Sequence, residues 1–257
     1  MPTTPISEIA RMIDHALLHP TLTDEELRAG CELALTYHVA SVCIKPYAIS
    51  LASQLLAGSD VAVGTVIGFP HGSATTSLKV VETLQACRDG ATEIDMVINI
   101  GKVLSRDWAY VTDEIRAVYE ICQLNGPLLK VIFENDFLPD DTSKIRLCEI
   151  CTEIGVGFVK TSTGFGFVKE SDGNYNSLGA TEPDLQLMLT HVGPNTKVKA
   201  SGGIRTLDEV LRVKAMGVTR VGTSSTQTIL TEAYQRFGLV APTPPSLRTS
   251  HIETKEY

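Results

Sequence analysis

The 257-residue chain carries 22 Lys and Arg against 30 Asp and Glu, a net charge of −8, with 43% hydrophobic and 20% charged residues. That length suits one large domain, and the composition is that of a globular chain, not a disordered one. An acidic balance without a long basic run argues against nucleic acid or an anionic membrane surface as partner, so any bound phosphate needs local donors.

No apolar stretch approaches the ~20 residues of a membrane helix. The opening residues MPTTPISEIARMID lack the basic and apolar regions of a secretory signal, so a soluble, cytoplasmic protein is expected. Cys31, Cys43, Cys87, Cys122, Cys148 and Cys151 are scattered through apolar-periodic segments. Cys148 and Cys151 have C-x-x-C spacing, but they fall mid-helix without a second pair. They read as half-buried thiols, and neither structural disulfides nor a bound metal is expected.

In chain order, short β-branched runs alternate with amphipathic ones. A strand at 12–18 (MIDHALL) leads to a helix at 23–38 with Thr23 as candidate N-cap. Strands at 40–46 (ASVCIKP) and 61–69 (VAVGTVIGF) follow, then a helix at 77–90 ending on Gly90. EIDMVINI (93–100) reads as the fourth strand, with the helix 107–123 behind it. Next come a strand at 128–135 (LLKVIFEN), a helix at 141–155 closing on Gly155, and a strand at 157–163 (GFVKTST). A strand at 197–203 (KVKASGG), a helix at 206–217 between Thr206 and Gly217, and a strand at 219–225 (TRVGTSS) complete the pattern.

Such alternation predicts a parallel sheet with right-handed crossovers. Eight units in about 240 residues match a single (β/α)8 TIM barrel. An open doubly wound sheet is the competing architecture, but the first strand lacks the G-x-G-x-x-G turn of dinucleotide folds. No linker interrupts the chain before residue 236, so 1–236 is expected to form the barrel. Residues 237–257, with three prolines and no periodicity, read as a tail.

Alternate strand residues face a barrel's interior. In EIDMVINI the even positions Ile94, Met96, Ile98 and Ile100 are all apolar and suit the helix layer, which sends Glu93, Asp95, Val97 and Asn99 inward. The same parity turns Phe158 and Lys160 inward on the sixth strand and Lys199 inward on the seventh. Neighbouring strands lie ~4.8 Å apart, so the two amines should be close. Two ammonium groups in a poorly hydrated interior cannot both stay charged, and one pKa must fall. A lysine that is neutral near pH 7 attacks carbonyls, as in Schiff-base enzymes, and Asp95 could hold the remaining charge or move protons. A structural ion pair of one lysine with Asp95 or Glu134 is the bland alternative, weakened by the presence of two lysines. Lys130, inward but nearer its strand's start, reads as a structural partner for a carboxylate.

Two strand-to-helix loops, Ser201-Gly202-Gly203-Ile204-Arg205-Thr206 and Gly222-Thr223-Ser224-Ser225, carry the glycines and helix N-termini that suit an anion. Barrels frequently bind phosphate between the seventh and eighth such loops. G-G alone could equally serve a tight turn.

Taken together, IDHALLHPTLT (13–23), VIGFPHG (66–72), EIDMVINIG (93–101), LLKVIFE (128–134), KTSTGF (160–165), VKASGGIRT (198–206) and VGTSS (221–225) resemble the deoxyribose-phosphate aldolase family, the DeoC-type class I aldolases. The pieces stand in family order over roughly residues 11 to 236. The resemblance implies a cofactor-free lyase of carbohydrate and deoxyribonucleotide degradation. It would reversibly cleave 2-deoxy-D-ribose 5-phosphate to D-glyceraldehyde 3-phosphate and acetaldehyde, and the enzyme itself would be a possible homo-oligomer, dimer or tetramer. It further implies that Lys160 is the Schiff-base lysine, Lys199 the second lysine that lowers its pKa, and Asp95 an acid/base working through water. Gly164, Gly202, Gly203, Arg205, Gly222, Ser224 and Ser225 fall where the family holds the phosphate.

Two departures bear on this. FGFVKESDGNYNSL (165–178) lengthens the loop after Lys160 by about ten residues, and long loops at such places are often lids or specificity elements. A related Schiff-base aldolase or lyase with an altered or non-phosphorylated substrate is therefore one alternative, and a catalytically idle sugar-phosphate-binding barrel is another. The chain also ends in Tyr257. Some family members use a C-terminal tyrosine as a proton relay at the enamine carbon, so Tyr257 is a candidate catalytic residue against the alternative of an idle terminus. His15 and His71, at strand ends, suit hydrogen-bonding roles, and Cys43 reads as a small buried hydrophobe near the site.

Overall fold

A computed structural model describes residues 5–169 and 171–243, so Tyr257 lies outside the described residues. The chain runs α1 (Pro5–Ala10), β1 (Ile13–Leu17), α2 (Asp24–Tyr37), β2 (Ser41–Ile44), α3 (Ile49–Leu55), β3 (Ala62–Ile67), α4 (Thr76–Arg88) and β4 (Glu93–Val97). It continues through α5 (Ile100–Leu104), α6 (Trp108–Asn125), β5 (Leu128–Ile132), α7 (Asp141–Ile154) and β6 (Phe158–Lys160). A hairpin of β7 (Val168–Lys169) and β8 (Tyr175–Asn176) intervenes before α8 (Glu182–His191), β9 (Lys197–Ser201), α9 (Leu207–Met216), β10 (Arg220–Thr223) and α10 (Thr226–Arg236).

Eight parallel strands close in the order β1-β10-β9-β6-β5-β4-β3-β2, which is the expected TIM barrel and not an open sheet. The helix termini follow local chemistry. Thr23 and Glu26 form a capping box on α2, and Thr206 and Glu209 form another on α9. Gly155 and Gly217, with φ of 91° and 109°, end α7 and α9 in the left-handed region that glycine enters freely.

The helix-facing set Ile94, Met96, Val131, Val159, Val198, Ala200 and Val221 belongs to one continuous apolar core. The inward set is different, because Asp14, Glu93, Asp95, Lys130, Lys160 and Lys199 are all buried there. One expectation needs correction. The fourth strand stops at Val97, and Asn99 caps α5 by accepting the Lys102 N–H instead of continuing the inward row. A buried pair between α4 and α6 fixes that ending: Lys79 Nζ donates to the Val97 carbonyl and to Glu114, while Glu114 accepts the Asn99 N–H. All six cysteines carry free thiols. No helix among the described residues is long and apolar enough to cross a membrane.

Candidate active site

Strand register brings the charges together. Lys160 pairs with Lys199 across β6 and β9, Asp95 with Lys130 across β4 and β5, and Arg220 with Lys199 across β10 and β9. Lys160 Nζ and Lys199 Nζ both donate to Asp95 Oδ2, each at 2.8 Å. Lys130 Nζ takes the other side of that carboxylate, 2.8 Å from Oδ1, and lies 2.6 Å from Glu93 and 3.3 Å from Asp14. Asp14 also receives Lys199 and Arg220, each at 2.5 Å, and the Ser41 hydroxyl at 2.6 Å. Arg220 closes the set onto Glu93 at 3.1 Å.

Four bases thus face three carboxylates. Among the described residues, Lys130 reaches three of the carboxylates and Lys199 and Arg220 two each, but Lys160 reaches Asp95 alone. Charge balance is met when one base gives up its proton, and Lys160 is the least compensated. Burial, reinforced by the neighbouring Lys199 charge, moves the Lys160 amine below the ordinary lysine value in spite of Asp95. Lys199 and Lys130 move the other way: burial would lower both, but Asp14 and Asp95, joined by Glu93 at Lys130, outweigh it. Burial would raise Asp95, yet Lys130, Lys160 and Lys199 hold it well below the usual carboxylate range. The two lysines named from the sequence are therefore adjacent and driven apart in proton affinity. Cys43 lies in the same field, and burial pushes its thiol up to about 11, leaving it protonated.

The loops named for anion binding meet at the same end of the barrel. Gly164, Gly202 and Gly203 have φ of 85°, 90° and 79°, and no described residue lies within 4 Å of where a Cβ would sit on Gly164. Gly202 packs against Gly179 so closely that a side chain on either would strike the other's backbone. Ser225 precedes α10 without a side-chain cap, so among the described residues its side chain leaves the first N–H groups of that helix uncapped, whereas α9 is closed by Thr206 beside Arg205. Ser224 is exposed on the same loop. Gly222 sits within β10, where a Cβ would come within 3.2 Å of Lys199 Cε, so its bareness makes room for the second lysine.

A family model described as DeoC/LacD family aldolase matches residues 9–227. The chain belongs to the DeoC/LacD aldolase family. A deoxyribose-phosphate aldolase of Rhodopirellula baltica is 49% identical to it, over 91% of this chain and 92% of that protein. One of Clostridium kluyveri is 45% identical over 87% of this chain and 97% of its own. Among solved structures, the deoxyribose phosphate aldolase of Aeropyrum pernix superposes with a TM-score of 0.78 at 30% identity, covering 89% of this chain and 92% of that one.

Several parts of the site were not singled out from the sequence. Asp14 and Glu93 are as central as Asp95: Glu93 stands in the inward row of EIDMVINI without having been given a role, and the alternation that turns Asp95 inward also turns Asp14 inward in IDHAL. Arg220, at the start of β10, alternates with the helix-facing Val221, so the same parity turns it inward as well. Ser162 is fully buried beside Gly202, and its hydroxyl has no partner among the described residues. Glu134, weighed only as an ion-pair partner for a lysine, bonds Thr163 instead.

Proposed function

We propose that this chain is a class I aldolase that reversibly cleaves 2-deoxy-D-ribose 5-phosphate to D-glyceraldehyde 3-phosphate and acetaldehyde through a Schiff base on Lys160. The observation that carries the reading is the excess of one base over the carboxylates, with Lys160 as the base left least compensated. The neutral amine attacks the sugar aldehyde carbon, and loss of water gives an iminium. The proton on the C3 hydroxyl leaves, the C2–C3 bond breaks, and its electrons enter the iminium to form an enamine. Glyceraldehyde 3-phosphate departs, the enamine carbon takes a proton, and water releases acetaldehyde from the lysine.

Asp95 remains anionic between Lys130 and Lys199, so it steadies the positive iminium and orders the water that carries protons. Lys199 supplies the charge that depresses Lys160. Gly164, Gly202, Gly203, Arg205, Gly222, Ser224 and Ser225 are proposed to hold the phosphate, and Ser162 is added to them. An idle sugar-phosphate sensor fits poorly, because a binding role gives no reason to desolvate so many amines. A homo-oligomer is proposed on the footing of the Aeropyrum pernix relative, described as having a unique tetrameric structure.

Incubation with acetaldehyde followed by borohydride should leave a reduced adduct on Lys160, read by mass spectrometry. Absence of that adduct would sink the mechanism. Cleavage of deoxyribose with and without its 5-phosphate tests the phosphate loops, and equal efficiency refutes them.

A further inference from the structure

We propose that Glu134 is a positioning residue for the phosphorylated substrate, its buried carboxylate tying the end of β5 to the Thr163–Gly166 turn that follows Lys160. The inference rests on the phosphate reading given above. Glu134 is 1% exposed and itself adopts a left-handed φ of 55°, a conformation that a non-glycine residue holds only when its surroundings impose it. Three residues of the turn are arranged about its side chain. The Thr163 N–H donates to Oε1 at 3.1 Å and Oε2 at 3.3 Å, and the Thr163 hydroxyl donates to Oε2. That same hydroxyl oxygen accepts the Phe165 N–H at 2.9 Å, and Phe165 meets Phe69, beyond β3, edge to face at 5.5 Å. Gly166 lies directly on the carboxyl group, where a Cβ would come within 2.7 Å of its carbon.

The far leg of the inserted hairpin is fastened to the same short segment. Asp136 accepts the Leu178 N–H at 2.6 Å and the Gly179 N–H at 3.1 Å, and the Ala180 N–H then donates to the Gly202 carbonyl at 3.0 Å. Residues 134–136 therefore grip both ends of the hairpin, and each grip leads within a residue or two to a glycine of the proposed phosphate cradle. The arrangement requires an acceptor-only carboxylate, because a protonated acid surrenders lone-pair capacity to its own hydrogen. Among the described residues, the charged groups facing Glu134 are Asp136, on its own segment, and Lys160 on β6. Burial foremost, with Asp136 adding to it, raises Glu134 to about 6 against the Thr163 hydrogen bonds and the Lys160 charge. The turn is accordingly held best above that pH.

The test is steady-state kinetics of the full chain and of Glu134→Gln, with deoxyribose 5-phosphate and with deoxyribose, from pH 5 to 7.5. The substrate phosphate titrates equally for both proteins, so the ratio of variant to wild-type KM is the quantity to follow. For the phosphorylated sugar that ratio should rise from near unity at pH 5 to about tenfold at pH 7.5, the loss expected for hydrogen bonds to a charged group. The ratio for deoxyribose should change several-fold less. Thr163→Val, which removes the hydroxyl and keeps the shape, should raise the same KM and add little to Glu134→Gln in the double variant. Should Glu134→Gln fail to fold, Thr163→Val carries the comparison alone. A KM ratio flat with pH, or an equal rise for both sugars, overturns the proposal. Absence of an acetaldehyde adduct on wild-type Lys160 would instead count against the aldolase reading itself.

Discussion

Asp95 and Glu134 are both buried carboxylates on adjoining parts of the barrel, one on β4 and one just after β5, yet burial ends differently for them. Asp95 sits among three amines and is held well below the usual carboxylate range. For Glu134 the hydrogen bonds from Thr163 and the Lys160 charge do not offset burial, to which Asp136 adds, so desolvation prevails and raises it to about 6. Burial alone disfavours a charge, and the partners decide the outcome. The same contrast divides the molecule by task. The strand-borne cluster is electrostatically saturated and suited to chemistry, whereas the rim beyond it is held by a few polar contacts and suited to choosing the substrate.

The cluster can be broken most completely at its least compensated member. Lys160→Met preserves volume and removes the amine, so turnover should fall by roughly 10⁴-fold or more. Thermal unfolding should show little loss of stability, because a base with a depressed pKa opposes folding in the range where it must be charged. A large loss of stability with retained turnover would mean that Lys160 is a structural ion-pair partner.

A sharper and smaller effect is expected one strand away. Lys199→Leu leaves three bases facing three carboxylates and removes the charge that disfavours the Lys160 ammonium. The acid limb of the activity profile should therefore move to higher pH, with activity at neutral pH falling about tenfold for each unit the limb moves. A reduced rate with an unmoved limb would show that Lys199 does not tune Lys160.

The two regions also differ in how far they could be read from sequence. Strand parity has a period of two and a strict inside and outside, so Asp95, Lys160 and Lys199 could be placed in one interior without coordinates. Asp14 obeys the same rule, alternating with Ile13 of the apolar core. Arg220 obeys it as well, since its neighbour Val221 belongs to the apolar core, but at the first residue of its strand no earlier inward position marks the row. At the rim, glycine positions were legible as turns, but the hairpin at 168–176 and its fastening by Glu134 and Asp136 were not. Those contacts join segments about 30 to 40 residues apart and follow no repeat.

Glu134 offers the smallest effect and the one whose sign is most informative. Its folded-state pKa lies above the ordinary glutamate value of 4.5, at about 6, so the folded state prefers the protonated acid. The stability this preference contributes is present below the unfolded pKa and is lost as pH rises through about 6. The loss amounts to about 2 kcal/mol. Glu134→Gln cannot titrate, so its unfolding free energy relative to wild type should improve by about that amount between pH 4 and pH 7.5. Over the same interval its KM for the phosphorylated sugar should worsen. A residue kept only for folding would move both quantities in the same direction. Opposite movement marks a carboxylate that is kept ionised at a cost in stability because the turn it holds serves the substrate. Chemical denaturation at the two pH values settles the sign, and parallel loss of stability and affinity in the variant would return Glu134 to the scaffold.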